Sequence, residues 1–275
     1  MQRQAATARR EVLHLRKRYA METIVGRTLS VHQEHEMLLK LEAAGLTDKL
    51  AQKVVDSKGN DLAAKVVRLI QNGGFEPSTS QKLAREIMGE NFFGIEEAIK
   101  HLGVNATKQQ LAYLAKVPFS EEQLSSCKDT HVLVAVFPMS ILDIRGKVKR
   151  ELFCNPDNAW YNRQAFAKDK GEVDWELVRK EPIANSTNKT WNDQQALLGN
   201  DEETPTARIV VYTMVGHFLA TEKRLFKKIY VRCVDLDSDG HRVYVGNLDA
   251  EGLFVYNWRD DDRTDDLGLS AARKQ

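Results

Sequence analysis

Only three cysteines, Cys127, Cys154 and Cys233, are spread over 275 residues, and no two stand in Cys-x-x-Cys spacing. Their scarcity excludes a disulfide framework and a thiolate zinc site, and it suits a reducing compartment. Long apolar runs are missing as well: nothing reaches the roughly 18 consecutive apolar residues of a membrane span. The Arg-rich start also lacks the apolar core of a signal peptide. The expectation is a soluble, cytoplasmic protein with no membrane span. Net charge is almost absent, with 40 Lys and Arg against 39 Asp and Glu. That balance argues against nucleic acid as an obligatory partner of the whole molecule but allows a local basic patch.

Motifs that would carry catalysis are missing too. There is no Gly-rich loop to cradle phosphate and no nucleophile in a strained strand-to-helix turn. His32-Gln33-Glu34-His35-Glu36 spaces its histidines by three, whereas a metalloprotease helix needs four, so it reads as a solvated helix face. Asp235-x-Asp237-x-Asp239-Gly240 matches the first half of an EF-hand, but Arg242 and Gly246 occupy the positions where the second half needs an apolar residue and a bidentate Glu. A hairpin turn accounts for it better. Cys127, between Ser126 and Lys128, reads as an ordinary thiol at a helix end. No cofactor and no metal are expected, and the chain is not read as an enzyme. The rival is an active site in a cleft between domains that draws on Asp143, His217 or Cys127.

Residues 1–116 read as helical and are rich in Ala, Leu, Lys, Glu and Gln, with breaks at Gly45, Lys58-Gly59-Asn60, Asn72-Gly73-Gly74 and Gly103-Val104-Asn105. Leu38, Leu41 and Leu46, and then Leu62, Val66, Leu69 and Ile70, recur near the helical period. Six or seven short helices forming a bundle are expected. Residues 1–20 carry Arg3, Arg9, Arg10, Arg16, Lys17 and Arg18 against Glu11, six positive charges to one negative. This local surplus offers a contact for an acidic partner or nucleic acid, or makes the chain an adaptor acting through a basic helix.

Composition shifts at Val117-Pro118, so residues 117–275 form a second domain of α+β class. After a helix opened by Ser120, His131 to Phe137 reads as a buried strand and Trp175 to Arg179 as another. A helix is expected from about Asn192 to Leu198. A longer one follows Thr204-Pro205, with Thr as cap and Pro at the first position, and is so apolar that most of it should be buried.

The end of the chain alternates as strands do. Ile229, Val231 and Cys233 oppose Tyr230, Arg232 and Val234; Asp237-Ser238-Asp239-Gly240 turns the chain; Val243 and Val245 resume. After Glu251-Gly252, Leu253 and Val255 share one face while Phe254, Tyr256 and Trp258 share the other. Residues 259–266 hold five Asp and two Arg, a net of −3. Leu267 to Ala272 reads as a final buried strand. If Leu253 and Val255 fill the core, the three rings form an exposed surface with hot-spot composition; if that face packs on the N-terminal half, the rings are core. Alternation alone does not separate the two.

The order of elements from 130 to 275, an early strand and two helices ahead of short antiparallel strands, resembles the C-type lectin fold. Val245-Gly246-Asn247-Leu248-Asp249, then Gly252-Leu253-x-Val255, then the Trp, Asp, Arg and Asn-rich loop and Leu267-Gly268-Leu269-Ser270-Ala271-Ala272-Arg273-Lys274, is similar to the C-terminal ends of variable proteins from diversity-generating retroelements. Trp160-Tyr161-Asn162 and Trp191-Asn192-Asp193-Gln194-Gln195 resemble uncharacterised bacterial proteins of that kind. In the family, error-prone reverse transcription rewrites adenine positions near the gene's end, and the altered codons map to exposed residues. The resemblance implies a binder of a protein or other macromolecular ligand through its C-terminal loops. Its candidate variable positions are Asn247, Ala250, Glu251, Phe254, Tyr256, Asn257, Trp258, Arg259, Asp262, Thr264, Asp265 and Asp266. The Gly-Gly-Ser-Trp tract of many lectin-fold variable proteins is missing, and calcium-dependent sugar binding is not implied.

Overall fold

The computed structural model describes residues 29–57, 61–71 and 78–275. The basic segment 1–20 and the breaks expected at 58–60 and 72–74 lie outside the described residues. The chain divides into two compact units, 1–75 and 76–275. In the first, α1 (Val31–Ala43), α2 (Asp48–Val55) and α3 (Asp61–Gln71) follow one another, with Ser30 and Thr47 capping the first two. No residue of α1 or α2 is buried, and Leu38, Leu41, Val66 and Ile70 keep their stripes exposed.

The second unit begins well before the expected boundary at 116/117. It opens with β1 (Thr79–Ser80), α4 (Gln81–Met88), β2 (Phe92–Phe93), α5 (Ile95–Leu102), α6 (Lys108–Tyr113) and β3 (Lys116–Val117). Ala84, Met88, Phe92, Phe93, Ala98, Leu102 and Leu114 join one buried core with the residues that follow, so these helices are part of the α+β unit and not of an N-terminal bundle. Helical composition alone does not show what an apolar face packs against.

Next come α7 (Glu121–Cys127), capped by Ser120, and β4 (His131–Val136), buried along its whole length. After α8 (Ile141–Lys147) and α9 (Ala165–Lys168), β5 (Asp174–Arg179) pairs antiparallel with β4. Then α10 (Trp191–Gln195) and β6 (Glu202–Glu203) lead to α11 (Ala207–Thr221). Residues Ala207 to His217 of α11 are all buried, because the helix touches β4 and β5 on one side and β7 and β8 on the other. Its cap is Thr206, whose Oγ1 accepts from the N–H of Ile209 at 3.3 Å. The cap falls after the expected Thr204-Pro205 because the Pro205 carbonyl is taken by the N–H of Val234 at 3.1 Å and Asp235 receives the N–H of Ala207 at 2.5 Å.

The terminal strands are β7 (Tyr230–Leu236), β8 (Arg242–Asp249), β9 (Gly252–Trp258), β10 (Leu267–Leu269) and β11 (Ala272–Arg273). Besides the two-stranded β1-β3 pair, one sheet has the order β10-β7-β8-β9 and the other β2-β4-β5-β11-β6. The expected final strand is split. Leu267 to Leu269 run parallel to β7, not antiparallel, and Ala272 then enters the other sheet between Val178 and Glu203. The turn at Asp237 forms as expected: its Oδ1 accepts from the N–H groups of Asp239 and His241, each at 2.8 Å, and Gly240 takes φ +81°.

Candidate binding surface

The four-stranded sheet has one face in the core and one turned outward. Val231, Cys233, Val243, Val245, Leu253 and Val255 supply the inner face. Pleating then puts Tyr230, Arg232, Arg242, Tyr244, Phe254, Tyr256 and Trp258 on the outer face. The strand register sets Tyr244 opposite both Arg232 and Tyr256, Arg242 opposite Trp258, and Gly246 opposite both Tyr230 and Phe254.

Five of these residues form an unbroken ladder of rings. Tyr230 meets Tyr244 edge-on at 5.3 Å between centroids and Phe254 at 6.4 Å. Phe254 stacks on Tyr256 at 5.9 Å, Tyr256 on Tyr244 at 6.0 Å, and Trp258 lies 6.4 Å from Tyr244. These separations suit offset and edge-on aromatic pairs. Gly246 leaves the gap across which Tyr230 and Phe254 meet, an arrangement in which rings cover a strand glycine. A Cβ at Gly246 would come within 2.4 Å of the Ile229 carbonyl oxygen. Within this unit Tyr256 and Trp258 are each 42% exposed, and Phe254 is half-buried between them and Tyr230.

Beside the ladder the outer face is covered by the chain itself. Arg232 is fully buried there. Its Nη1 donates to the Lys189 carbonyl and to Gln194 Oε1, both at 3.0 Å, and its Nη2 to the carbonyls of Arg259 at 3.2 Å and Asp262 at 2.6 Å. Arg242 grips both oxygens of Asp260 at 3.0 Å through Nε and Nη2, gives Nη1 to the Val234 carbonyl, and lies 3.9 Å from the centre of the Trp191 ring. The N–H of Trp191 donates to the Asp260 carbonyl and that of Asn188 to the Thr264 carbonyl, both at 2.7 Å. Residues 259–266 therefore lie back over their own sheet, tied mainly by backbone atoms.

The twelve candidate positions fall around this face. Phe254, Tyr256 and Trp258 are in the ladder, and Ala250 and Glu251 are exposed in the turn before β9. Asn247, at φ +49° where β8 bulges, donates from Nδ2 to the Tyr230 hydroxyl at 3.4 Å. Arg259 and Asp262 are joined through the Arg259 N–H and the Asp262 carboxylate at 3.2 Å, Thr264 donates its hydroxyl to Asp266, and Asp265 is exposed. Asn257 stands apart: it follows Leu253 and Val255 toward the inner side and donates to Asp237 in the β7–β8 turn. Tyr230, Tyr244, Arg232 and Arg242 were not among the candidates. The signal for the tyrosines was present, since each alternates with buried valines.

The acidic end of the ladder is visible in its phenols. Burial first, then the neighbouring Tyr230, Tyr256 and Asp266, pushes the Tyr244 hydroxyl above its ordinary value. Tyr230 is raised by burial, with smaller contributions from Asp266, Tyr256 and Asp249. Asp237, with the carboxylate of Asp239 and the ring of His241, could present three ligand atoms to a cation. The Asp237 oxygens already accept from Asp239, His241 and Asn257, and against the upward pull of burial these bonds hold its carboxyl below the usual value.

The rival enzyme reading draws on three residues. Asp143 completes the capping box of α8, Cys127 is buried at the end of α7, and His217 is buried between the Lys223 carbonyl and Asn91 Oδ1 at 3.2 and 3.3 Å. No helix among the described residues is long and apolar enough to cross a membrane. Comparison with family models, curated proteins and solved structures finds no match to this chain.

Proposed function

We propose that the protein is a binder of a macromolecular ligand, most directly another protein, which it meets with the ring ladder and the 259–266 loop on a C-type-lectin-like scaffold. The observation that carries this reading is the ladder: five rings in mutual contact on the outward face, two of them 42% exposed, over a strand whose alternate residues are core. Rigid rings supply contact area at little entropic cost, and the Asp, Asn and Thr side chains around them supply adaptable hydrogen bonds. Monomeric proteins rarely leave such a cluster open to water.

The retroelement reading draws support from how the loop is held. Arg232 and the N–H groups of Trp191 and Asn188 bind main-chain carbonyls of residues 259, 260, 262 and 264. A carbonyl is present whatever the side chain, so the loop keeps its path when its side chains are exchanged. The variation belongs at Asn247, Ala250, Glu251, Phe254, Tyr256, Trp258, Arg259, Asp262, Thr264, Asp265 and Asp266; Asn257, bonded to the β7–β8 turn, fits that role less well. The test is to sequence this gene across many cells of one population. Changes concentrated at adenine-derived positions of codons 247–266 support a diversified surface, and an unvarying tail removes the retroelement reading.

A further inference from the structure

At the free edge of β9 the chain from Phe153 to Tyr161 folds against the strand. Cys154 donates its N–H to the Leu253 carbonyl at 3.0 Å, and Trp160 donates its indole N–H to the Val255 carbonyl at 2.7 Å. Between this segment and the ladder lies a pocket of about 160 Å³. An engineered cavity of about 150 Å³ admits a benzene-sized guest, so this pocket has room for the end of one side chain. Four of its walls are rings, Trp160, Tyr161, Phe254 and Tyr256, and Asn155 and Asn158 add amide groups.

No cationic side chain lines it. Of the cations on neighbouring elements, Arg145 lies over the Tyr161 ring at 5.4 Å and donates to Asn162, and Arg150 is paired with Asp157. At Cys154 the neighbouring charges are negative: burial first, then Glu251 and Asp249, raises its thiol above the ordinary value, while at Tyr161 the Arg145 guanidinium works against the upward pull of burial. Ring faces carry negative quadrupole potential, and ringed sites in a negative field are how proteins take ammonium and guanidinium groups.

We infer that this pocket is a cation subsite of the binding face, which receives one Lys or Arg side chain of the partner protein between the rings of Trp160, Tyr161, Phe254 and Tyr256. The inference rests on the reading of the ladder as a binding surface, and it adds that the partner presents a positive charge there. The Asn155 and Asn158 carbonyls are available as acceptors for the cation's N–H groups, and the rings exclude water from its stem.

The test uses the full chain and three blocked tripeptides, acetyl-Gly-X-Gly-amide with X as Lys, Arg or norleucine, the last being a Lys stem without its ammonium. The readout is the indole N–H resonance of Trp160 during titration. The Lys or Arg peptide should shift it saturably with a Kd at least about fivefold below that of the norleucine peptide. Tyr256→Leu, which keeps apolar area but removes a ring face, should abolish that preference while lowering the melting temperature by no more than roughly 4 °C. Equal or tighter binding of norleucine makes the pocket a plain apolar socket and overturns the inference, as does a Trp160 resonance that no cationic peptide moves. If codons 247–266 vary while the cationic peptides leave Trp160 unmoved, only the cation subsite falls. If the codons do not vary but the Lys preference is found, the subsite stands and the diversified surface falls.

Discussion

Arg242 and Trp191 lie face to face across the rim of the four-stranded sheet, the guanidinium carbon 3.9 Å from the ring centre, while the same guanidinium holds Asp260 through two bonds of 3.0 Å. The fork, the stack and the charge act on one loop from one side chain. Lysine reproduces only the charge. Arg242→Lys should therefore destabilise by about 1–3 kcal/mol, and hydrogen exchange at the N–H of Trp191, bonded to Asp260, should speed up. An unchanged rate would mean that Trp191 is held without Arg242.

Arg232 should matter more. Its two terminal nitrogens satisfy four acceptors, three of them main-chain carbonyls from segments 27 to 43 residues away in sequence. Arg232→Met keeps much of the volume and leaves those acceptors without a donor. We expect a loss on the order of 3 kcal/mol, with increased exchange confined at first to residues 188–194 and 259–266, measurable by mass spectrometry.

Gly246→Ala tests the ladder's geometry. Position 246 has φ +155°, and the added Cβ would lie 2.4 Å from the Ile229 carbonyl oxygen and 2.8 Å from the Tyr230 Cα. The neighbours are backbone, so β7 must move or the pairing must break. A cost of about 2 kcal/mol or more is expected in chemical denaturation, together with a loss of the Tyr230–Phe254 ring contact seen as altered near-ultraviolet dichroism.

The ladder's exposed members should behave oppositely. Replacing Tyr256 and Trp258 by Ala removes surface that is already partly wet, so stability should fall by no more than about 1 kcal/mol, while capture of a protein ligand, once one is in hand, is abolished. A large drop in melting temperature would make these rings core and sink the proposed function.

Glu176 on β5 sets a pH dependence. Burial, then Asp174 and Glu203, pushes its carboxyl up to about 8, with Arg208 opposing. A raised folded-state value means that the unfolded chain ionises first. This group's contribution is therefore unaffected at low pH and turns against folding as pH rises from about 4.5 to about 8. Glu176→Gln should raise stability above pH 8 by several kcal/mol, at most roughly 5, and change nothing near pH 4, as read from denaturation curves across that range.

Alternation made β7, β8 and β9 legible as strands and sorted their residues onto two faces, because pleating is a local rule and valine against tyrosine is a strong contrast; it did not say which face is core. The turn at Asp237 was legible for the same reason. Arg232 was not: on the pattern it is an outward residue, and it is outward, but the loop that buries it returns from far along the chain. The same limit applies to α4–α6, which read as helices of an N-terminal bundle, because nothing local showed that α4 packs on α7 or α5 on α11 and β4. The ring ladder was half legible, since Phe254, Tyr256 and Trp258 share a strand while Tyr230 and Tyr244 come to them only through register. The pocket beside Trp160 was not legible at all, because its two walls lie about a hundred residues apart.

The split of the last strand bears on how the chain folds during synthesis. Leu267 to Leu269 complete the edge of one sheet, and Ala272, three residues on, fills the slot between β5 and β6 in the other, with Ser270 donating its hydroxyl to the Arg232 carbonyl between them. Without residues 267–273 β7 lacks its edge partner and β6 has no strand to join it to β5, although β7–β8–β9 and β2–β4–β5 pair among themselves. Domains commonly fold as units while the chain emerges. Here residues 267–273 supply one pairing to each of the two larger sheets of the unit from Glu76 onward, so one short segment couples the completion of both.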